Sequence, residues 1–295
     1  MIRILISDKL SPEAIDVLKG NPAFSVDVGM EHLSQIGDYE ALLVRSQTQV
    51  TAELLQKADK LKLIGRAGIG LDNIDLDAAR QKNIEVVNTP QGNLVSTAEH
   101  TVALMMSLAR HIPQATASMK AGAWEKSKFM GTELRDKTLG IIGLGQVGQI
   151  VAELAQGLRM KVVAYDPVAK SDLLVSLDSL YAQADFITIH VPLLPQTRHM
   201  LSTDAFKKMK KGVRIIHAAR GGIVDEAALF GALEAGFVAG AALDVFEQEP
   251  PKEISPLIKH PNVILTPHLA ASTREAQDRV GFQLAEKTKQ FFSVK

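Results

Sequence analysis

The sequence predicts an α/β protein with doubly wound parallel sheet, on three observations. Short β-rich runs alternate with amphipathic helical stretches from one end to the other. Those runs are continuously apolar, as strands covered on both faces are. Several of them end in a polar or charged residue, which is where open α/β sheets place their ligands. With 295 residues and 46% hydrophobic composition, the chain can bury a sizeable core, and its length suggests two domains of roughly 150 residues each.

The elements follow in order. IRILIS (2–7) opens as a strand and leads to SPEAIDVLKG, where Ser11 stands as helix N-cap and Pro12 as the first helical residue. ALLVRS, LKLIGRAG and IEVVN follow as strands. Residues 96–122, STAEHTVALMMSLARHIPQATASMKAG, form the longest helical pattern, with Pro113 predicting a break. This stretch separates the first series of strands from the second and marks the domain boundary. Its run TVALMMSLA is more apolar than a solvent-facing helix requires, so it either packs inside its own domain or meets a second copy of the chain. The second series comprises TLGIIGLG, KVVAYD, DFITIH, VRIIHAA, GAALDV and NVILTP.

Bulk properties exclude several function classes. Lys plus Arg (33) equals Asp plus Glu (33), so no global field draws the protein to nucleic acid or to an anionic membrane. Any anion site is local. The absence of cysteine removes disulfides, thiolate catalysis and thiolate metal sites. No stretch has the apolar length of a signal-peptide core or a membrane span, so a cytoplasmic protein is expected. No His or carboxylate spacing suits a metal.

The segment TLGIIGLGQVGQIVAEL holds G-x-G-x-x-G at Gly143, Gly145 and Gly148, between a strand and a helix. Glycines there permit a tight turn, close approach of a pyrophosphate and helix-on-sheet packing, while the helix N-terminus offers free N–H groups and a positive dipole end. The next strand ends at Asp166, about 23 residues beyond Gly143. A carboxylate there accepts hydrogen bonds from ribose hydroxyls and repels a 2′-phosphate, which favours NAD over NADP.

Three later segments deliver Arg220, then Asp244 and Glu249, then His268 to strand ends. An imidazole can take a hydroxyl proton as hydride leaves, a carboxylate bonded to it favours the imidazolium, and a guanidinium can fork onto a substrate carboxylate. Each alone has a plainer reading: Glu249 as a solvated charge, His268 as a structural histidine. The combination points to hydride chemistry on a 2-hydroxy or 2-oxo acid. His32, His111, His199 and His260 have no comparable setting and read as surface residues.

GLGQVG, HAARGGIVDE, ALDVFEQEP and PHLAAST together resemble the D-isomer-specific 2-hydroxyacid dehydrogenases. RAGIGLDNIDL, NTPQGNLVSTAEH, WEKSKFMGTEL and HVPLLPQTRHML are similar to the branch that oxidises D-3-phosphoglycerate, and the likeness covers nearly the whole chain. It implies a Rossmann-type nucleotide domain, residues 95–271, inserted into a flavodoxin-like substrate domain formed by residues 1–94 and 272–295. It implies a catalytic trio of Arg220, Glu249 and His268, with His268 as proton carrier. Substrate phosphate and carboxylate fall to Arg45, Arg66, Ala67, Gly68 and Asn93, with Lys126 reaching a neighbouring subunit's active site. NAD contacts fall to the glycine loop with Gln146 and Val147, to Asp166, Val191, Ala218, Ala219 and Arg220, to Asp244 near the nicotinamide carboxamide, and to His268, Leu269, Ala270 and Ala271.

Three positions depart from the family's pattern: Ile69 replaces a common Thr, His217 an Asn, and Ala270 a Gly. The last restricts the backbone after His268. The implied protein is a short form without the C-terminal regulatory domains that many members carry, acting as a homodimer in the NAD-dependent oxidation of D-3-phosphoglycerate to 3-phosphohydroxypyruvate, the entry to serine synthesis. Rival readings are a glyoxylate or hydroxypyruvate reductase, which needs no phosphate-binding arginine pair, and an NADH-sensing corepressor that binds partner peptides.

Overall fold

The computed structural model describes residues 1–251 and 255–293, so Val294 and Lys295 of the expected closing segment lie outside the described residues. The chain divides into two compact units, one made of Met1–Leu94 with Ala271–Lys295 and the other of Val95–Ala270. Each unit is built on one sheet, and every strand pairing is parallel.

The first unit contains β1 (Ile2–Ile6), β2 (Phe24–Val28), β3 (Ala41–Val44), β4 (Leu63–Arg66) and β5 (Glu85–Asn88), in the order β2-β1-β3-β4-β5. Strand β2 has no counterpart among the expected elements. It is an edge strand paired only with β1, and Ser25 and Asp27 interrupt its apolar residues, so it lacks the continuous run that marks a strand covered on both faces. Ser11 does stand at the N-cap before Pro12, but its hydroxyl makes no capping bond. The helix Arg274–Ser293 completes this unit: a Cβ on Gly65 would come within 2.6 Å of Leu284 and 2.7 Å of Leu43, so the helix lies directly on the sheet. Gly281 brings the same helix against the helix Pro12–Lys19, where an added Cβ would stand 2.8 Å from that of Ala14.

The second unit contains β6 (Thr138–Ile142), β7 (Lys161–Tyr165), β8 (Phe186–Ile189), β9 (Val213–His217), β10 (Val238–Leu243) and β11 (Val263–Leu265), in the order β11-β10-β9-β8-β6-β7. Alternate strand residues feed opposite faces. Ile142, Ile187, Ile189 and Ile215 pack with Phe206 and Phe246 on one side, while Leu139, Ile141, Phe186 and Ile216 pack with Leu104, Met105 and Leu108 on the other. Most of the TVALMMSLA run is therefore explained by the core of its own unit.

The long helical pattern breaks at His111, in the left-handed conformation at φ 53°, between helices Leu94–Arg110 and Ile112–Lys120. Pro113 sits in the first turn of the second helix, where a missing N–H costs nothing, and an uninterrupted helix would set its ring against the Ala109 carbonyl, so the expected break is present, two residues earlier at His111. Met106, Ile112 and Met119 remain exposed along these helices, and Trp124 and Met130, both 81% exposed, follow them. His260 corrects the expectation of a surface histidine: its side chain is only 6% exposed, edge-on to Phe230 and 3.3 Å from Glu234. Among the described residues, no helix is long and apolar enough to cross a membrane.

In each sheet the strand order reverses once, between β1 and β3 in the first unit and between β6 and β8 in the second. Such switch points are the binding crevices of open α/β sheets. The packing at Gly281 generates a test. Gly281→Val should lower the unfolding free energy by about 1–3 kcal/mol, the usual cost of overpacking, in urea denaturation monitored by circular dichroism.

Candidate active site

At the switch point of the larger unit, β6 runs through Gly143, Leu144 and Gly145 into the helix Gln146–Gly157. The three glycines have different jobs. Gly143 has φ 96°, and a Cβ there would stand 2.6 Å from the His190 carbonyl and 2.8 Å from Val191. Gly148 faces the Gly143 carbonyl, which an added Cβ would approach to 2.1 Å. Gly145 has nothing within 4 Å of its missing Cβ, so its backbone is open to a ligand. Two glycines thus close the loop and one leaves it accessible, the arrangement that a pyrophosphate at a helix N-terminus needs. Gln146 and Val147 begin that helix, and Val191 borders the loop.

Asp166, one residue beyond β7, is tied to the same loop. Its carboxylate accepts from the amides of Leu144 (2.8 Å), Val168 (2.8 Å) and Ala169 (2.9 Å). Burial pushes its pKa up, but the three N–H donors outweigh that and hold it below the ordinary carboxylate value. The charge therefore persists beside the glycine loop, where it suits a ribose and opposes a phosphate.

Beyond β9 the chain turns through Ala218 and Ala219 to Arg220, whose Nη1 donates to the Ala219 carbonyl at 2.7 Å. His217 Nε2 lies 2.8 Å from the Arg220 carbonyl, an acceptor, so the ring carries its proton on Nε2 and fastens this turn. That is the local pattern that its place in the sequence left open. Burial depresses His217 from 6.5 to about 4 and its neighbour His190, at the end of β8, to about 3. Two neutral imidazoles thus underlie the strand ends.

Glu249 and His268 meet directly. Glu249 Oε2 accepts from His268 Nδ1 at 2.7 Å, while Oε1 accepts from the Phe246 amide at 3.1 Å. Burial raises the Glu249 pKa, the bond to His268 lowers it, and the net is below the ordinary value. Since an ionised carboxylate only accepts, Nδ1 carries a proton and Nε2 is the nitrogen left for a substrate. Side-chain exposures of 44% for His268 and 37% for Glu249 keep that nitrogen reachable.

The turn that carries His268 is organised by Asp244. The amides of Leu269 (2.7 Å) and Ala270 (2.9 Å) donate to its carboxylate, and the His268 amide donates to its backbone carbonyl at 2.9 Å. His268 itself takes the left-handed conformation, φ 52°. Residue 270 is not in that region, so an alanine there carries no backbone penalty. The restriction expected from Ala270 thus falls on a conformation that alanine already favours.

The smaller unit gathers the other expected residues except Lys126. Val44 is in register with Arg66, so Arg45 and Arg66 stand at the ends of neighbouring strands β3 and β4. Arg45 sits at the β1/β3 switch point, its amide donating to Asp8 Oδ2 at 2.6 Å and its Nη1 to the Lys9 carbonyl at a long 3.4 Å. Burial lowers the pKa of Arg45, with Asp8 acting against that. Gly68 has φ 143°, and a Cβ on it would collide with Arg66 Nη1 at 1.8 Å, so the arginine folds back across a glycine. Thr89 locks that loop through a 2.7 Å bond from the Gly68 amide, Ala67 is buried beside it, and Asn93 lies buried downstream. Ala271 begins the return segment of this unit. Lys126 is exposed on the short 3-10 turn Lys126–Phe129, in the larger unit. His100, unremarked in the sequence, is brought to Asp244 at 3.3 Å; its spacing of four from Ser96 on one helix face was the available signal. Among the described residues, no three potential metal ligands cluster.

Comparison with known proteins gives the family. Residues 102–270 match the family described as D-isomer specific 2-hydroxyacid dehydrogenase, NAD binding domain. D-3-phosphoglycerate dehydrogenase of Archaeoglobus fulgidus is 52% identical over 97% of this chain and 56% of its own length. The Homo sapiens protein of that name is 50% identical over 96% of this chain and 55% of its own. The chain thus spans about half the length of the curated relatives it matches. A crystal structure of D-lactate dehydrogenase from Aquifex aeolicus, complexed with NAD and lactic acid, superposes with a TM-score of 0.86 at 31% identity, covering 99% of this chain and 95% of the other.

The buried histidines set a pH dependence. Between 6.5 and their folded values of about 3 and about 4, the unfolded chain binds more protons than the folded one. Stability should therefore fall as pH drops below 6.5, by up to about 1.4 kcal/mol per pH unit for each histidine. Urea midpoints at pH 7 and pH 5 check this, and His217→Asn should remove about half of the slope attributable to the two rings.

Proposed function

The chain belongs to the D-isomer-specific 2-hydroxyacid dehydrogenases, and from that premise we propose that it oxidises D-3-phosphoglycerate to 3-phosphohydroxypyruvate with NAD, the first step of L-serine synthesis. The observation that carries the reaction is the 2.7 Å bond between Glu249 and His268 Nδ1, which leaves Nε2 to take the proton of the substrate hydroxyl. NAD, when bound, accepts the hydride that leaves C2. Glu249 stabilises the imidazolium as the proton arrives, and Arg220 forks onto the carboxylate and polarises the C2 oxygen.

The glycine loop and Asp166 hold the dinucleotide, with Val191, the 218–220 turn and the 268–271 backbone toward the nicotinamide end. Arg45 and Arg66, with Ala67, Gly68 and Asn93, take the substrate's anionic groups. Support for a phosphorylated substrate comes from the two cations at adjacent strand ends and from the relatives' names. A cytoplasmic homodimer accompanies this reading. The support for the dimer is the exposure of the apolar residues Met106, Ile112, Met119, Trp124 and Met130, and Lys126 within that segment is assigned to the partner's active site.

NADH formation at 340 nm with D-3-phosphoglycerate and NAD tests the reading. His268→Ala should cut kcat by about 10²–10⁴-fold, the usual worth of a general base, and NADP should support turnover far less well than NAD. Arg45→Ala should raise KM for the phosphorylated substrate while leaving small 2-oxo acids unaffected. If glyoxylate or hydroxypyruvate turns over and the phosphorylated acid does not, the reductase reading replaces this one.

A further inference from the structure

We propose that His100 is a positioning residue for His268, acting through the carboxylate of Asp244. The proposal rests on the reading of His268 as proton carrier. Asp244 is fully buried, with its side chain 0% exposed. Besides the Leu269 and Ala270 amides, it accepts from the Thr266 hydroxyl at 2.6 Å and faces His100 Nε2 at 3.3 Å. His100 Nε2 is also 3.3 Å from Thr266 Oγ1.

These distances fix the tautomer. Thr266 has one hydroxyl proton and gives it to Asp244, so its oxygen can only accept from His100. Nε2 therefore carries hydrogen and shares it between Thr266 and Asp244. One turn earlier on the same helix, the Ser96 hydroxyl donates to the Ala270 carbonyl. The first turns of the helix Leu94–Arg110 thus grip the turn after β11 at both sides, through the Ala270 carbonyl and through the carboxylate that receives the Leu269 and Ala270 amides. A buried carboxylate deprived of one donor rearranges toward its others, and what moves with it here is the backbone that carries His268. His100 has no route to the substrate hydroxyl through these bonds, since its Nε2 is spent on Asp244 and Thr266. Its effect falls on orientation.

Two variants separate donor from bulk. His100→Met removes the N–H at similar volume, and His100→Gln restores an N–H donor at similar reach. We expect kcat to fall about tenfold in the Met variant with KM for NAD changed less than about twofold, and to return to within about threefold of the parent in the Gln variant. Hydrogen exchange read by mass spectrometry should show the Leu269 and Ala270 amides exchanging about tenfold faster in the Met variant only. The proposal is overturned if the Met variant keeps kcat within about twofold, if the two variants are equally impaired, or if kcat falls while those amides stay protected. If the parent turns over no 2-hydroxy acid, the proposed function fails separately. Exchange at Leu269 and Ala270 then decides alone: acceleration in the Met variant supports the clamp, and unchanged rates overturn it.

Discussion

A carboxylate sealed from water must be answered by donors, and in this protein that requirement falls on Asp244. An unanswered buried charge costs several kcal/mol, whereas each hydrogen bond to a charged group returns about 1.5–3 kcal/mol. Burial pushes Asp244 toward protonation, the donors from His100, Thr266, Leu269 and Ala270 push the other way, and the net leaves it below the ordinary carboxylate pKa. The backbone from 266 to 270 has to hold the one path that delivers those donors. His268 can then occupy a left-handed conformation that a non-glycine residue in a free loop would leave, because its neighbours on both sides are fixed. The His268 ring owes its direction to a charge it does not touch.

The rest of the larger unit's site follows from strand direction. In a parallel sheet all carboxyl ends face one way, so the loops after β6, β7, β8, β9, β10 and β11 open on one edge. Residues far apart in sequence, from Gly143 to His268, are thereby collected at that edge. The field there is local, in keeping with a chain whose formal charges cancel. Asp166, Asp244 and Glu249 are held ionised by specific donors, while His190 and His217 are held neutral by burial, so neither of these two rings places a positive charge beneath the strand ends.

Strands buried on both faces were legible because the hydrophobic effect writes them as unbroken apolar runs, and the glycine loop because its steric demands are met by one residue type. Edge strand β2 was not, since half of its residues answer to solvent. The break was legible from Pro113 because proline announces itself, but its exact place at His111 was not, since a left-handed histidine carries no mark in the sequence. His260 looked like a surface residue until Phe230 and Glu234 folded around it. The tie between His100 and Asp244 spans two distant segments, so the spacing of Ser96 and His100 marks a shared helix face but not the partner that only the tertiary fold supplies. Arg220, Glu249 and His268 could be picked out because their chemical types form a recognisable set, but the bond that orders Glu249 and His268 appears only in three dimensions.

The return of the chain into its first sheet has a consequence for biosynthesis. Leu284, Val280 and Ala285 belong to the same core cluster as Ile4, Ile6, Leu43 and Leu63. As the chain leaves the ribosome, its first 94 residues emerge with one face of their sheet lacking the helix that will cover it. The contiguous stretch Val95–Ala270 can meanwhile complete its own core. The sheet begun before the other is thus closed after it, and an apolar sheet face stays uncovered until the helix Arg274–Ser293 has been made, a period in which a chaperone that shields such a surface has something to protect.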